Sequence, residues 1–149
     1  MKETFVSFEI AKKLQEKGFK EKCLAYYDVE DNAGLLFNTQ YTDEALPCQY
    51  TDLLQCHNTG QAETQPDDSG FCVDAATLPQ ALKWLREVKN IYVDISLRYD
   101  GWDSLILTNI STDDIGEYVY ECVDRGEFPC PTYEQAAMEG IAYCLDHII

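Results

Sequence analysis

Basic residues are scarce and unevenly placed in this chain of 149 residues. Lysine and arginine are absent from Cys23 to Leu82, and from Tyr99 onward Arg125 is the single example. The formal net charge is −16. Such a chain repels phosphate, which disfavours direct binding to nucleic acid, and it attracts basic partners. The simpler interpretation is that the excess of acidic residues only keeps the protein soluble. The net charge taken alone favours this interpretation.

Long hydrophobic runs are also missing. No apolar stretch approaches the roughly 18 residues that a membrane-spanning helix needs. The first residues show neither the apolar core nor the cleavage site of a signal peptide. We therefore expect a cytoplasmic protein that does not contact the membrane.

Cysteine is plentiful, but no two cysteines have the close C-x2-C spacing of a structural zinc site. There are seven, an odd number, so a complete set of intramolecular disulfides is excluded and reduced thiols are expected. Cys23, Cys122 and Cys144 are predicted to be small buried residues.

A metal site is an alternative that the spacing leaves open. The best ligand set falls in one irregular region and consists of Cys48, Cys56, His57 and Cys72. The same region, at about residues 39–72, is where a small-ligand site or an enzyme cleft would be expected, because long irregular loops are often functional.

Specific catalytic signals are absent. There is no phosphate-binding glycine loop, no dinucleotide fingerprint, no H-E-x-x-H and no G-x-S-x-G. The adjacent Cys56 and His57 do not make a nucleophile and base, because a reactive thiolate needs a positive environment and this region has none. We therefore predict no catalytic residues and no cofactor, and no enzyme activity is indicated.

The pattern in the first half of the chain predicts a helix and a hairpin. Residues 5–17 carry apolar side chains at helical spacing, and Gly18 is suited to end the helix. Residues 23–29 and 35–38 are rich in strand-forming residues and flank an acidic turn, as in a β-hairpin. Residues 39–70 are the irregular, loop-rich part.

The second half shows clearer signals. Thr77 and Thr132 each open a capping box that starts a helix, with a glutamine three residues later. The first of these helices is predicted to bury a stripe of five residues: Leu78, Ala81, Leu82, Leu85 and Val88. Residues 91–99 alternate between apolar and polar side chains, which is typical of a sheet with one covered face. Further strands are expected at about 103–110 and 117–123.

These elements follow the order α-β-β-α-β-β-β-α. They predict a single α+β domain over residues 1–149, in which three helices lie mainly on one face of an antiparallel sheet of about five strands.

Tyrosine is unusually frequent, with ten residues. Tyr92 falls on the polar face of its strand, and Tyr118 and Tyr120 share a face of theirs. Packing beneath helices or across strands is the favoured interpretation. The alternative is a binding surface, because tyrosine provides large contact area at little entropic cost.

Several segments together resemble a known group of proteins. They are FVSFEIAKKLQEKGF, CLAYYD, LPQALKWLREVKNIYVDI, the hairpin containing Trp102, and TYEQAAMEGIAYCL. They are similar to small proteins encoded by prophages and mobile elements of gut Bacteroidetes, over about two-thirds of the chain but not over residues 39–70. The resemblance implies a small cytoplasmic α+β protein of phage-like origin. It implies no activity and no site residues.

The leading functional hypothesis is a non-enzymatic, phage-related protein that binds a basic host or phage protein through an acidic surface. A more specific version is a mimic of DNA, in which carboxylates occupy a nucleic-acid-binding groove. The sequence sets no oligomeric state.

Overall fold

The computed structural model describes residues 4–21, 23, 25–28, 34–37, 72–125 and 129–149. These residues form three helices and two three-stranded antiparallel sheets. The α+β class is therefore confirmed, and the predicted elements occur in the predicted order. The chain divides into two compact units, Met1–Thr77 and Leu78–Ile149. The expectation of a single domain stays a prediction.

The first unit begins with helix α1, Phe8–Glu16. Ser7 caps it by accepting a hydrogen bond from the Ile10 amide at 3.4 Å. Gly18 has φ 93° and follows the last turn, and the Phe19 amide bonds back to the Leu14 carbonyl at 2.9 Å. This arrangement ends the helix where the sequence predicts, and it buries Phe19.

The first sheet has the strand order β2-β1-β3. Strands β1 (Ala25–Asp28) and β2 (Gly34–Phe37) form the predicted hairpin. Strand β3, Cys72–Ala75, pairs with the other edge of β1 and was not predicted from the sequence. The Val6 amide donates to the Ala76 carbonyl at 2.9 Å, which connects the segment before α1 to the end of β3.

The second unit begins with helix α2, Leu78–Lys89, which starts directly after Thr77 as predicted. Leu78, Ala81 and Leu85 are buried, but Val88 at the last turn is 58% exposed, so its placement in the buried stripe was wrong. Trp84, which flanks the stripe and was expected to pack with it, is buried, with the Lys89 ammonium 5.1 Å from its ring centre. Helical spacing identifies which face of a helix is buried, but it does not show how far along the helix that face stays in contact with the rest of the protein.

The second sheet has the order β4-β5-β6. Its strands are β4 (Tyr92–Arg98), β5 (Gly101–Thr112) and β6 (Tyr118–Val123). Helix α3, Tyr133–His147, follows and is capped by Thr132, whose hydroxyl accepts from the Gln135 amide at 3.2 Å. The predicted cap at Thr132 is thus confirmed, but the Gln135 side-chain oxygen accepts from the Thr132 hydroxyl at 3.4 Å and not from the Thr132 amide, as a capping box requires.

Helix α3 packs directly on one face of this sheet, which we call the covered face. A Cβ atom at Gly140 would lie 2.7 Å from the Val93 side chain and 3.0 Å from the Ser104 hydroxyl oxygen. Ile106, directly opposite Val93, is fully buried. The cover does not extend along the whole of β4, because Leu97 is 66% exposed.

Within the described ranges, no helix is long and apolar enough to cross a membrane.

Candidate protein-binding face

The opposite face of the second sheet carries the unusual side chains, and we call it the open face. Tyr92 lies opposite Leu107, and Leu107 lies opposite Cys122. Directly paired residues point to the same side of a sheet, and so do residues two apart on a strand. Tyr118 and Tyr120 therefore share the open face with Cys122 and Tyr92.

The tyrosines of this face are accessible. Tyr118 is 75% exposed and Tyr120 is 52% exposed, while Tyr92 is exposed to a smaller extent. The favoured expectation that these rings pack in the core or across strands is wrong for Tyr118 and Tyr120. Alternation along a strand assigns side chains to a face, but it does not say whether another layer covers that face. Cys122, expected as a small buried residue, is exposed on the same face.

A bulge separates the helix-covered part of β5 from its far end. The pairing changes from Thr108 opposite Glu121 to Ser111 opposite Val119, so β5 uses one residue more than β6. Asn109 takes up the extra residue with φ 53°, a left-handed conformation that asparagine tolerates better than most residues. Its side-chain amide donates to a Glu121 carboxylate oxygen at 2.8 Å, which holds the bulge across the strand pair.

Beyond the bulge, residues 109–121 form a two-stranded extension that we call the arm. Every residue from 111 to 122 is exposed. Few apolar contacts stabilise such a ribbon, so its order depends on backbone and turn hydrogen bonds.

The turn at the tip of the arm supplies those bonds. One carboxylate oxygen of Asp113 accepts from the Ile115 amide at 3.0 Å and from the Glu117 amide at 2.9 Å. The Asp113 amide also donates to the Glu117 carbonyl at 2.8 Å. Gly116 has φ 85°, a conformation that glycine adopts without strain. This ordered turn presents Ile115 with 80% of its side chain exposed.

The charge of this region has one sign. From Tyr99 to Asp124 the chain contains no lysine or arginine. It carries seven carboxylates, which are Asp100, Asp103, Asp113, Asp114, Glu117, Glu121 and Asp124. The arm therefore combines exposed aromatic and aliphatic groups with a local negative potential. These properties favour binding of a surface that is basic and partly apolar.

At the other end of the sheet, Arg98 and Arg125 line a cleft of about 170 Å³. Arg98 forms an ion pair with Asp103, with the guanidinium Nε 3.4 Å from a carboxylate oxygen. The Arg125 guanidinium lies 5.8 Å from the centre of the Tyr143 ring. Asp103 and Asp124 balance the two positive charges in the lining, so the cleft itself has no net preference for an anion.

The buried thiols of this unit do not form a nucleophilic site. Burial raises the pKa of Cys144 to about 12. Burial, followed by a hydrogen bond and repulsion from Glu139, raises the pKa of Cys130. Both thiols stay protonated at neutral pH, and a protonated thiol is a weak nucleophile and metal ligand.

The predicted metal site lies mostly outside the described residues. Cys48, Cys56 and His57 fall there, while Cys72 begins β3. No group of three or more metal-ligating side chains occurs within the ranges that the structure describes. The metal hypothesis, and that of a small-ligand site or enzyme cleft near residues 39–72, stay predictions.

The sequence indicated part of this face in advance. It placed Tyr118 and Tyr120 together and identified the turn between β5 and β6. It missed Ile115, although an isoleucine inside a turn of polar residues is a usable signal, because turns seldom bury a large apolar side chain. It also missed the bulge at Asn109, which depends on pairing between strands.

Comparison with known protein families, with curated proteins and with solved structures finds no match to this chain.

Proposed function

We propose that this protein is a binding module that recognises a basic segment of another protein through the open face and arm of its second sheet. The observation that supports it is the arm itself, where Ile115, Tyr118 and Tyr120 are exposed on an ordered ribbon whose charged residues are all acidic. Scattered exposed hydrophobic residues need no explanation, but a contiguous group on one element indicates an interaction site.

The order of the arm favours binding over a merely solvated loop. The Asp113 carboxylate and the Asn109–Glu121 contact fix the backbone before any partner arrives. A preorganised ribbon loses little conformational entropy on association. Tyrosine rings add contact area with few rotatable bonds, and their faces attract lysine and arginine side chains.

The partner is a protein and not a nucleic acid in this proposal, because phosphate would meet carboxylates along the whole arm. Origin in a phage or mobile element and action in the cytoplasm belong to the same proposal. They rest on the resemblance and on the sequence signals given above.

The test measures binding of a fluorescein-labelled ten-residue peptide of alternating lysine and valine by fluorescence anisotropy. We expect saturable binding at low salt, weakening as ionic strength rises because the attraction is screened. Replacing both Tyr118 and Tyr120 by alanine should weaken binding about 10-fold or more, since buried aromatic anchors dominate interface energetics. A peptide of alternating glutamate and valine should not bind.

Tyr99→Ala is the matched control. Tyr99 is fully exposed in the turn between β4 and β5, away from the arm. Its loss should leave the affinity unchanged. Absence of saturable binding by the lysine–valine peptide would overturn the proposal, as would equal effects of the Tyr99 and the Tyr118/Tyr120 substitutions.

A further inference from the structure

The outer edge of β6 offers backbone groups along the whole strand. Among the described strands, the outer edge of β5 is also unpaired beyond Leu107, but there the Asn90 side chain already donates to the Ile110 carbonyl at 3.0 Å. Strand β6 pairs with β5 on one side, and no other described strand pairs with it. Such an edge presents alternate amide and carbonyl groups that are able to hydrogen-bond to an added strand. Proteins commonly protect an edge with lysine or other charged residues, proline, a bulge or a covering element. Strand β6 contains neither lysine nor proline; it carries Glu121 and pairs with β5 through a bulge, and the charge of Glu121 repels an acidic strand but not a basic one.

We infer that the partner binds by adding an extended strand to the outer edge of β6, with basic and apolar side chains in alternation. This inference rests on the proposed function and specifies how the partner engages the arm. Main-chain hydrogen bonds to β6 would supply affinity, and the side chains on the two faces of the added strand would supply specificity.

The two faces of β6 predict the pattern of the added strand. Tyr118 and Tyr120 point to the open face, so the residues beside them are expected to be apolar or aromatic. Val119 and Glu121 point to the other face, where they are also exposed. A lysine or arginine beside Glu121 would form a cross-strand pair of opposite charge. Alternating basic and apolar residues satisfy both faces in one register.

A second copy of the same chain is a poor occupant of this edge. Antiparallel pairing of two β6 strands brings acidic residues of the two copies together in two registers: centred on Val119 it places Glu117 opposite Glu121, and centred on Glu121 it places Glu121 opposite itself. Like charges directly opposite each other are destabilising. The register centred on Tyr120 forms no acidic pair and is opposed by the net charge of the chains. Each chain carries a net charge of −16, which repels another copy.

Hydrogen exchange of the β6 amides tests the inference. Alternate residues of an edge strand donate to the neighbouring strand, and the residues between them point outward. We expect the outward amides among residues 118–123 to exchange with solvent rapidly in the free protein. Saturation with the lysine–valine peptide should slow them 10-fold or more, as read by NMR.

A second measurement uses the same peptide methylated at every backbone nitrogen. It keeps the charges and side chains but is unable to donate main-chain hydrogen bonds, so we expect binding at least 10-fold weaker. Unchanged exchange of the outward amides at saturation, or equal binding by the methylated peptide, would overturn strand addition. If binding still depended on Tyr118 and Tyr120 in that case, recognition by the open face would stand. Loss of saturable binding altogether would overturn both proposals.

Discussion

The two faces of the β4–β5–β6 sheet are built from the same three strands but differ in how far they are covered. On the covered face, Ile106 is fully buried and Gly140 lets the backbone of α3 approach Val93 and Ser104 closely. On the open face, Tyr118 and Tyr120 remain exposed. Contacts on the covered face hold the fold together, whereas the side chains at the arm end of the open face contribute little to it. The aromatic residues of the arm are therefore available for binding another molecule.

The largest expected effect is a difference in the free energy of unfolding between a variant of the covered face and a variant of the arm. Ile106→Ala removes a fully buried side chain and should lower the free energy of unfolding by about 2–5 kcal/mol. Tyr118→Ala, on the arm, should change it by no more than about 0.5 kcal/mol. Chemical denaturation followed by tryptophan fluorescence suits the comparison, because both tryptophans, Trp84 and Trp102, belong to the second unit. Similar losses in the two variants would show that the arm is part of the core.

A smaller effect should come from Gly140→Ala, which tests how closely α3 approaches the covered face. The added methyl group would lie 2.7 Å from a Val93 methyl carbon, and valine has little rotamer freedom with which to adjust. Overpacking costs about 1–3 kcal/mol, against about 1 kcal/mol gained in helix propensity, so the net loss in the free energy of unfolding should lie between about 0 and 2 kcal/mol, near the upper end if Val93 does not adjust. The same denaturation experiment measures it.

The cost of Gly140→Ala should also be measured in a protein that already carries Ser104→Ala. The Ser104 hydroxyl is buried and has no hydrogen-bond partner among the described residues, and it lies 3.0 Å from the added methyl position. Its removal should itself be neutral or stabilising, because an unsatisfied buried hydroxyl is costly. Gly140→Ala should then cost less in the Ser104→Ala background. An unchanged cost would mean that Ser104 does not limit the approach of α3.

The first sheet contains a partly buried carboxyl group that should make the stability of the fold depend on pH. Burial raises the pKa of Asp74, on β3, to about 7, whereas an aspartate in an unfolded chain titrates near pH 3.9. Between these values the folded state binds more protons than the unfolded state, so the free energy of unfolding should fall as pH rises from about 4 to 7. Asp74→Asn should reduce this fall, measured by thermal unfolding followed by circular dichroism. Parallel pH profiles of the two proteins would contradict the raised pKa.

Local signals in the sequence predicted most helices and strands of the fold. The features that were not predicted depend on contacts between residues far apart in the chain. The cap at Thr132 and the helix end at Gly18 depend on residues within one turn of the chain, whereas the cap at Ser7 falls inside the helix predicted for residues 5–17. Strand β3 has four residues and no clear alternation, and it is defined by pairing with β1 from more than 40 positions earlier. The same holds for the candidate site. Spacing predicted that Tyr118 and Tyr120 share a face, but their exposure depends on the arm extending beyond the part of the sheet that α3 covers, so that residues 111–122 are exposed on both faces.

The most direct test of the central claim, that the open face and arm bind a basic partner, is an NMR titration of the amide resonances with the lysine–valine peptide. We predict shift changes concentrated in residues 109–123 and at Tyr92 and Leu107, with α1 and the centre of α3 unaffected. Changes confined to other parts of the chain, or none at saturating peptide, would contradict the account.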